Sequence, residues 1–281
     1  MLNSKIVEKI ESFVEIKPRS VQEIAQELNK NWRTVDRYIS QIKEEFGTIE
    51  TRIFREGTRG ALKIVYFANS EKISSTIFQE RLEKEILLRR TKEEFSAFEI
   101  FQYVQDNKKE VFLKKAEDEK GTRDLDKFFK ILLNAQKQVL FFSGNLSFLN
   151  IKNNNQSFFD IIEKLVEKNI KIKVLCRVDI VGRQNIEKLL SLNFKHQKEL
   201  IQIRHREHPL RATIIDDKIM DLKEIKEPTG KIKELDKKIF IFYTINDKKW
   251  IEWLTKIFWK MFNESISAEK RLEQINRYLK L

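Results

Sequence analysis

Nine side chains in the first quarter of the sequence have the types and spacing to grip a nucleic-acid duplex. Arg33, Thr34, Arg37, Tyr38 and Gln41 recur at intervals of three and four, which places them along one side of a helix. An Arg fork reads guanine edges, Gln reads adenine, and a Thr methyl meets the methyl of thymine. Arg59 lies in the connection E-G-T-R-G and Arg52, Arg55 and Lys63 on its two sides, a placement suited to holding phosphates rather than reading bases. The remaining chemistry-bearing residues form no such set. His196, His205 and His208 lie among Lys, Arg and Glu without a pattern of supporting acids, so they predict no metal site. Cys176 closes an apolar run, where a thiol is buried and inert. No cofactor is expected.

The elements that must carry the nine residues are legible around them. Ile6, Ile10, Phe13 and Val14 make the apolar stripe of a first helix that ends before Pro18. Ser20 and Glu23 form a capping-box pattern, after which Val21, Ile24, Ala25 and Leu28 keep helical spacing. After a short L-N-K-N connection, Asn31 caps a third helix with Val35, Ile39, Ile42 and Phe46 on its inner side and Gly47 beyond its end. This is helix-turn-helix spacing, with Trp32 either a base or sugar contact or a lid on the preceding turn. Residues Ile49 to Arg55 and Leu62 to Phe67 are rich in Ile, Val, Thr, Tyr and Phe around the Gly-bearing connection, which predicts a hairpin. A hairpin after the third helix makes a winged helix-turn-helix over residues 1–68.

Composition bounds the rest. The chain has 281 residues with one Cys, 7 Gly and 3 Pro, so a disulfide framework is excluded and long helices with few irregular loops are expected. Its 55 Lys and Arg against 43 Asp and Glu give a net charge of +12, a balance that favours polyanionic partners. The N-terminus lacks the unbroken apolar stretch of a signal peptide and no long apolar run follows, so a cytoplasmic protein without a membrane partner is expected.

Residues 69–121 carry Ile73, Ile77, Phe78, Leu82, Ile86, Leu87, Phe95, Phe98 and Phe101 at drifting helical intervals. They predict a helical connector whose apolar face packs on the second half or pairs with another subunit, and a homodimer is expected. From residue 122 to 281 the pattern alternates strands with helices. Strands are predicted at 139–143, 170–176, 200–204, 212–215 and 239–245, with helices near 158–166, 186–190 and 250–261. Trp250, Trp253, Phe258, Trp259 and Phe262 fall on one helix as core residues.

Two resemblances follow from these runs. The stretch SVQEIAQELNKNWRTVDRYISQIKEEFGTIE resembles the DNA-binding helices of prokaryotic, especially archaeal, winged helix-turn-helix transcription regulators. The order in which VLFFSG leads into a helix and then EKNIKIKVLCR resembles one repeat of the phospholipase D-like fold, whose active site bears His-x-Lys, four residues, then Asp. Here that strand reads Pro209-Leu210-Arg211-Ala212-Thr213-Ile214-Ile215-Asp216, so Asp216 keeps its place while Pro209 stands for the nucleophile and Arg211 for the lysine. Proline supplies no nucleophile, and His196-x-Lys198 lacks its acid because residue 203 is Ile. The whole resembles the TrmB-like archaeal regulators. The expected fold is therefore mixed α/β: a winged helix-turn-helix, a helical connector and a catalytically blank phospholipase D-like α/β sandwich. That implies a sequence-specific regulator that binds double-stranded DNA, with a second domain for an unidentified small-molecule effector or for assembly. The alternatives are a phospholipase D-like nuclease or phosphodiesterase and a non-specific DNA-organising factor.

Overall fold

The computed structural model describes residues 4–45, 48–55, 61–67, 75–115, 125–153, 156–228 and 237–279. It opens with α1 (Ser4–Ile16), β1 (Arg19–Ser20), α2 (Val21–Glu27) and α3 (Trp32–Glu45). The expected caps are present: Ser20 Oγ accepts from Glu23 N and the Glu23 carboxylate takes the Ser20 backbone N–H at 2.7 Å, while Arg33 N donates to Asn31 Oδ1 at 2.9 Å. Each satisfies a backbone donor that the first helical turn leaves unpaired. The hairpin β2 (Ile49–Arg55) and β3 (Ala61–Phe67) is antiparallel, and β1 adds to its β3 edge. Val7, Ile10, Val14, Ile24, Ala25, Val35, Ile39 and Ile42 close with Ile49 and Val65 into one small core. Phe46, expected on the inner side of α3, and Gly47, expected to end it, lie outside the described residues.

The segment read as a helical connector is helical only in part. α4 (Ser75–Leu88) and the short α5 (Phe98–Phe101) are followed by β4 (Lys109–Lys115), which pairs antiparallel with a strand from the far end of the chain. The run KEVFLKK carries Val111, Phe112 and Leu113 in succession among Lys and Glu, too short an apolar run to specify a strand until its partner lies beside it. The unit that begins at residue 122 therefore borrows a strand from before that boundary. Phe78, Leu82, Ile86, Phe95, Phe98 and Phe101 are buried in the chain's own core, so most of the apolar face that was a candidate for pairing subunits is spent internally; Ile77 and Leu88 stay exposed.

The remainder runs α6 (Leu125–Leu133), β5 (Gln138–Phe142), the two-residue pair β6 (Lys152–Asn153) and β7 (Gln156–Ser157), α7 (Phe158–Glu167), β8 (Lys171–Cys176), α8 (Arg183–His196), β9 (Ile201–His205), β10 (Ala212–Ile215), β11 (Ile219–Lys226), β12 (Ile239–Ile245), α9 (Lys248–Asn263), β13 (Ile266–Ser267) and α10 (Ala268–Leu279). An eight-stranded sheet results, in the order β13-β9-β8-β5-β10-β11-β12-β4, with β5, β8 and β9 parallel and the other pairings antiparallel. Alternation sorts its side chains. Val139, Phe141, Ile172 and Val174 face a core shared with α6, α7 and α8, while Leu140, Phe142, Leu175 and Tyr243 face one shared with α9 and the α4–α5 region. The Trp250–Phe262 aromatic series fills the second core, as expected of core residues. This is the mixed α/β class read from the sequence. Among the described residues no helix is long and apolar enough to cross a membrane.

The hairpin belongs to both halves. Ile49 and Val65 lie in the small core, whereas Phe54, Leu62 and Ile64 lie in the core of the large sheet. Phe54 sits with its ring centroid 6.1 Å from Phe98 and 6.3 Å from Tyr243. Beside it, Lys226 of β11 is buried, with Nζ 3.0 Å from Glu23 Oε2 and 3.1 Å from Glu224 Oε1, and Ser96 Oγ donates to Glu224. Burial pushes the Glu23 carboxyl up, but the Lys226 ammonium and the Ser20 N–H outweigh it and hold the group down at about 2. Glu99 on α5 goes the other way, since burial outweighs Arg81 and raises it to about 7.

Truncating Phe54→Ala is expected to cost about 3–5 kcal/mol of unfolding free energy, read by denaturant titration. Because Glu23 is lower in the folded chain than its ordinary 4.5, its contribution is present above pH 4.5 and lost as pH falls toward 2. Glu23→Gln should therefore flatten the acid limb of the stability profile by roughly 3 kcal/mol. Glu99→Gln should gain on the unmodified protein as pH rises from 4.5 to 7, because over that window the unfolded chain releases the Glu99 proton while the folded chain still holds it.

Candidate functional site

The third helix keeps one side open. Arg33 and Arg37 are exposed, one turn apart, and neither forms an ion pair with any other described residue. Their guanidinium groups lie 5.6 Å from the Trp32 ring and 5.9 Å from the Tyr38 ring, a placement that stiffens both side chains. Thr34 and Gln41 are half-buried at the flanks of this ridge. Tyr38 and Trp32 are half-buried and both pack against the small core.

The hairpin is less free than its cations suggested. Arg52 falls on the face turned toward the large sheet, because it shares its side of β2 with Phe54. Its guanidinium lies 5.1 Å over the Phe101 ring and 3.6 Å from Asp106, which makes it a tie between the halves rather than a phosphate contact. Lys63 faces α3 and is paired with Asp36 at 2.7 Å, so its charge is already met. The Arg55 side chain and the whole of Arg59 lie outside the described residues. Of the nine sequence-predicted residues, the structure therefore gathers Arg33, Thr34, Arg37 and Gln41 on one open ridge.

At the phospholipase D-like strand, the acid position has another use. Asp216, in the left-handed region at φ 49°, accepts the backbone N–H groups of Gln136, Lys137 and Gln138 at 2.6, 2.8 and 3.0 Å. It clamps the start of β5, at the far end of β10 from Arg211. His208 is buried, its Nε2 3.1 Å from the Leu175 carbonyl, and burial drives it down to about 3, so it stays neutral near pH 7. The other histidines go elsewhere: His205 Nδ1 accepts from Val178 N at 2.9 Å, and His196 Nε2 lies 2.9 Å from Glu163. Glu163, Glu167 and His196 stand close enough to share a cation, but the Lys195 ammonium already meets Glu163 at 2.6 Å. Cys176 is buried and burial raises its thiol to about 12, which makes it a poor nucleophile.

Beyond the carboxyl ends of β5, β8 and β9 lies a cavity of about 510 Å³ that the sequence did not announce. Ser143 and Gly144 follow β5, Arg177 follows β8, Arg206 follows β9, and Arg211 precedes β10. A smaller cavity of about 330 Å³ separates this region from Ser20 and Glu23 of the helix-turn-helix, and Arg211 and Glu93 line both. A polar S-G-N turn directly after an apolar strand was the available signal for the larger cavity; the convergence of three strand ends was not.

No protein-family model matches the sequence, and no curated protein does. Among solved structures, NucT from Helicobacter pylori aligns at 13% identity and a TM-score of 0.39, covering 57% of this chain and 99% of its own. Nuc from Salmonella typhimurium, a phospholipase D family member, aligns at 12% identity and a TM-score of 0.39, over 57% of this chain and 97% of its own. TrmBL2, an archaeal chromatin protein reported with a novel mode of DNA binding, aligns at 14% identity and a TM-score of 0.39, over 94% of both chains. Likenesses of this strength carry no functional inference.

Arg52→Ala is expected to lower the thermal midpoint while leaving duplex affinity within about twofold, because its charge is committed to Asp106 and Phe101. Melting curves and a binding isotherm on the same variant check this.

Proposed function

We propose that the chain is a double-stranded-DNA-binding transcription regulator that sets α3 in the major groove, with a second domain that does no chemistry of its own. The observation that carries this is the pair Arg33 and Arg37, exposed, one turn apart and without ion-pair partners among the described residues, on the second helix of a helix-turn-helix. An unpaired cation at a surface costs little and gains counterion release when it meets phosphate or a guanine edge. Thr34 and Gln41 border the same ridge and complete a base-reading set. The net charge of +12 adds long-range attraction to the duplex.

The non-catalytic reading of the second domain rests on Pro209 at the nucleophile's place and on Asp216 being spent on three backbone donors. Two copies of the chain would offer two recognition helices to adjacent major grooves, which multiplies the affinity of each.

Arg37→Ala is expected to cost about 1–3 kcal/mol at a preferred duplex site and to relax sequence choice, and Arg33→Ala to weaken binding comparably. A salt titration of duplex binding checks both; unchanged affinity in both variants would overturn the assignment of this ridge. Incubation with a labelled duplex and with a generic phosphodiester should give no cleavage product. Turnover by the purified chain would return the second domain to the enzymes.

A further inference from the structure

The net charge of +12 is not carried by the helix-turn-helix. Residues 1–68 hold 12 Lys and Arg against 10 Asp and Glu, whereas residues 122–281 hold 32 against 21, so a surplus of 11 lies in the second domain. Part of it is gathered at the foot of the large sheet, where the parallel strands start, at the opposite end from the 510 Å³ cavity. Lys137 directly precedes β5, Lys171 opens β8, and Lys218 stands in the turn between β10 and β11. The ladder brings them together: Lys171 N donates to the Lys137 carbonyl at 3.1 Å, and Asp216 N donates to the Gln138 carbonyl at 3.1 Å. All three side chains are exposed, and none is in an ion pair or hydrogen bond with another described residue.

Two further lysines border this group but have structural uses. Lys168 and Lys198 sit just past the ends of α7 and α8, where a cation offsets the helix dipole, and Lys168 Nζ donates to the Leu133 carbonyl at 2.7 Å. Lys137, Lys171 and Lys218 precede, open or join strands and have no such use. The acids nearest to them are spent: Asp216 on three backbone N–H groups, and Asp217 on the Thr255 hydroxyl, which donates to it at 3.4 Å. Glu167 and Glu199 lie farther along, toward α8 and β9. Behind Lys171, Lys173 is half-buried with Nζ donating to Gln202 Oε1 at 2.7 Å; burial pushes its ammonium down, and the Lys171 and Arg204 charges push the same way. Cations crowded without counter-charges favour a polyanion that brings them. With β9, β8, β5 and β10 side by side, the foot is about 14 Å wide, a span over which one DNA strand presents roughly four phosphates.

We propose that the foot of the sheet is a second, sequence-independent contact for duplex DNA, in which Lys137, Lys171 and Lys218 hold backbone phosphates that α3 does not touch. A lysine ammonium is a point charge on a flexible stem, which meets phosphates without reading bases. A protein partner fits less well, because such a partner is held through an apolar interface core and none of the exposed large apolar side chains among the described residues lies on β5, β8 or the β10–β11 turn. The inference rests on the reading that the chain binds duplex DNA, and adds to it a surface on the second domain.

The test is a gel-shift salt titration of the full chain on a duplex of random sequence. It compares the unmodified chain with the triple variant Lys137→Gln, Lys171→Gln, Lys218→Gln and with a charge-matched control, Lys152→Gln, Lys188→Gln, Lys270→Gln, three exposed lysines away from the foot. The foot variant is expected to bind roughly tenfold more weakly at low salt and to shallow the dependence of log affinity on log salt by about two to three, since each neutralised phosphate contributes about 0.9. The control should shallow it by less than about one, and the foot variant should keep the unmodified chain's preference for one duplex over another. A foot variant that matches the control or the unmodified chain would overturn the proposal, and α3 still stands if Arg33→Ala and Arg37→Ala weaken binding. If the foot variant alone weakens it, the foot stands and the assignment of α3 falls. No binding of duplex by the unmodified chain would overturn both.

Discussion

The hairpin β2–β3 is wedged between two cores, and the rest of the molecule is arranged around that constraint. One of its faces completes the small helical core through Ile49 and Val65, and the other enters the large core through Phe54, Leu62 and Ile64. A two-stranded ribbon is marginal alone and gains stability from surfaces that cover it. Here both faces are covered, so the helix-turn-helix cannot swing on the ribbon without exposing buried aromatic area. The Lys226 ammonium, held between Glu23 and Glu224, adds a directional tie at the same junction. Buried ion pairs are weak sources of net stability, but losing one partner strands a charge, so such a tie fixes geometry more than it deepens the energy well.

That geometry decides which cations are free. Strand alternation sends Arg52 to the face bearing Phe54, where it meets Asp106 and the Phe101 ring, and sends Lys63 to the face of α3, where it meets Asp36. The outward side of α3 keeps two exposed arginines without ion pairs, while the half-buried Arg19 of β1 is taken up by the Phe13 ring and carbonyl. The docked ribbon thus narrows a broad cationic expectation to a single ridge.

The large sheet makes a parallel economy. Its three parallel strands direct their carboxyl ends, with Ser143, Arg177 and Arg206, to one rim. Asp216, at the opposite end of β10 from Arg211, is committed to holding the start of β5. The cationic rim and the clamp thus lie at opposite ends of the same strands, so a partly buried Arg211 at the rim leaves the clamp untouched.

Local signals in the sequence were enough for the local structure. The Ser20–Glu23 capping box, the Asn31 cap, the stripe Val35–Ile39–Ile42 and the alternation in Ile49–Arg55 each involve residues within a few positions of one another, so period and cap chemistry alone fixed the helix-turn-helix, its ribbon and the exposure of Arg33 and Arg37. The alternation of strands and helices after residue 122 likewise carried the mixed α/β class. Three things were decided only by the tertiary structure. β4 is a strand because β12 lies beside it, a partner more than a hundred residues away. β11 escaped notice because the turn at Asp216 and Asp217 needs two consecutive left-handed residues, which Asp tolerates without the Gly that usually marks such a turn. The pairing of Arg52 and Lys63, the burial of Lys226 and the meeting of Gly144 with Arg211 depend on how whole elements dock, and side-chain types at fixed spacing along one chain contain no record of what will be packed against them.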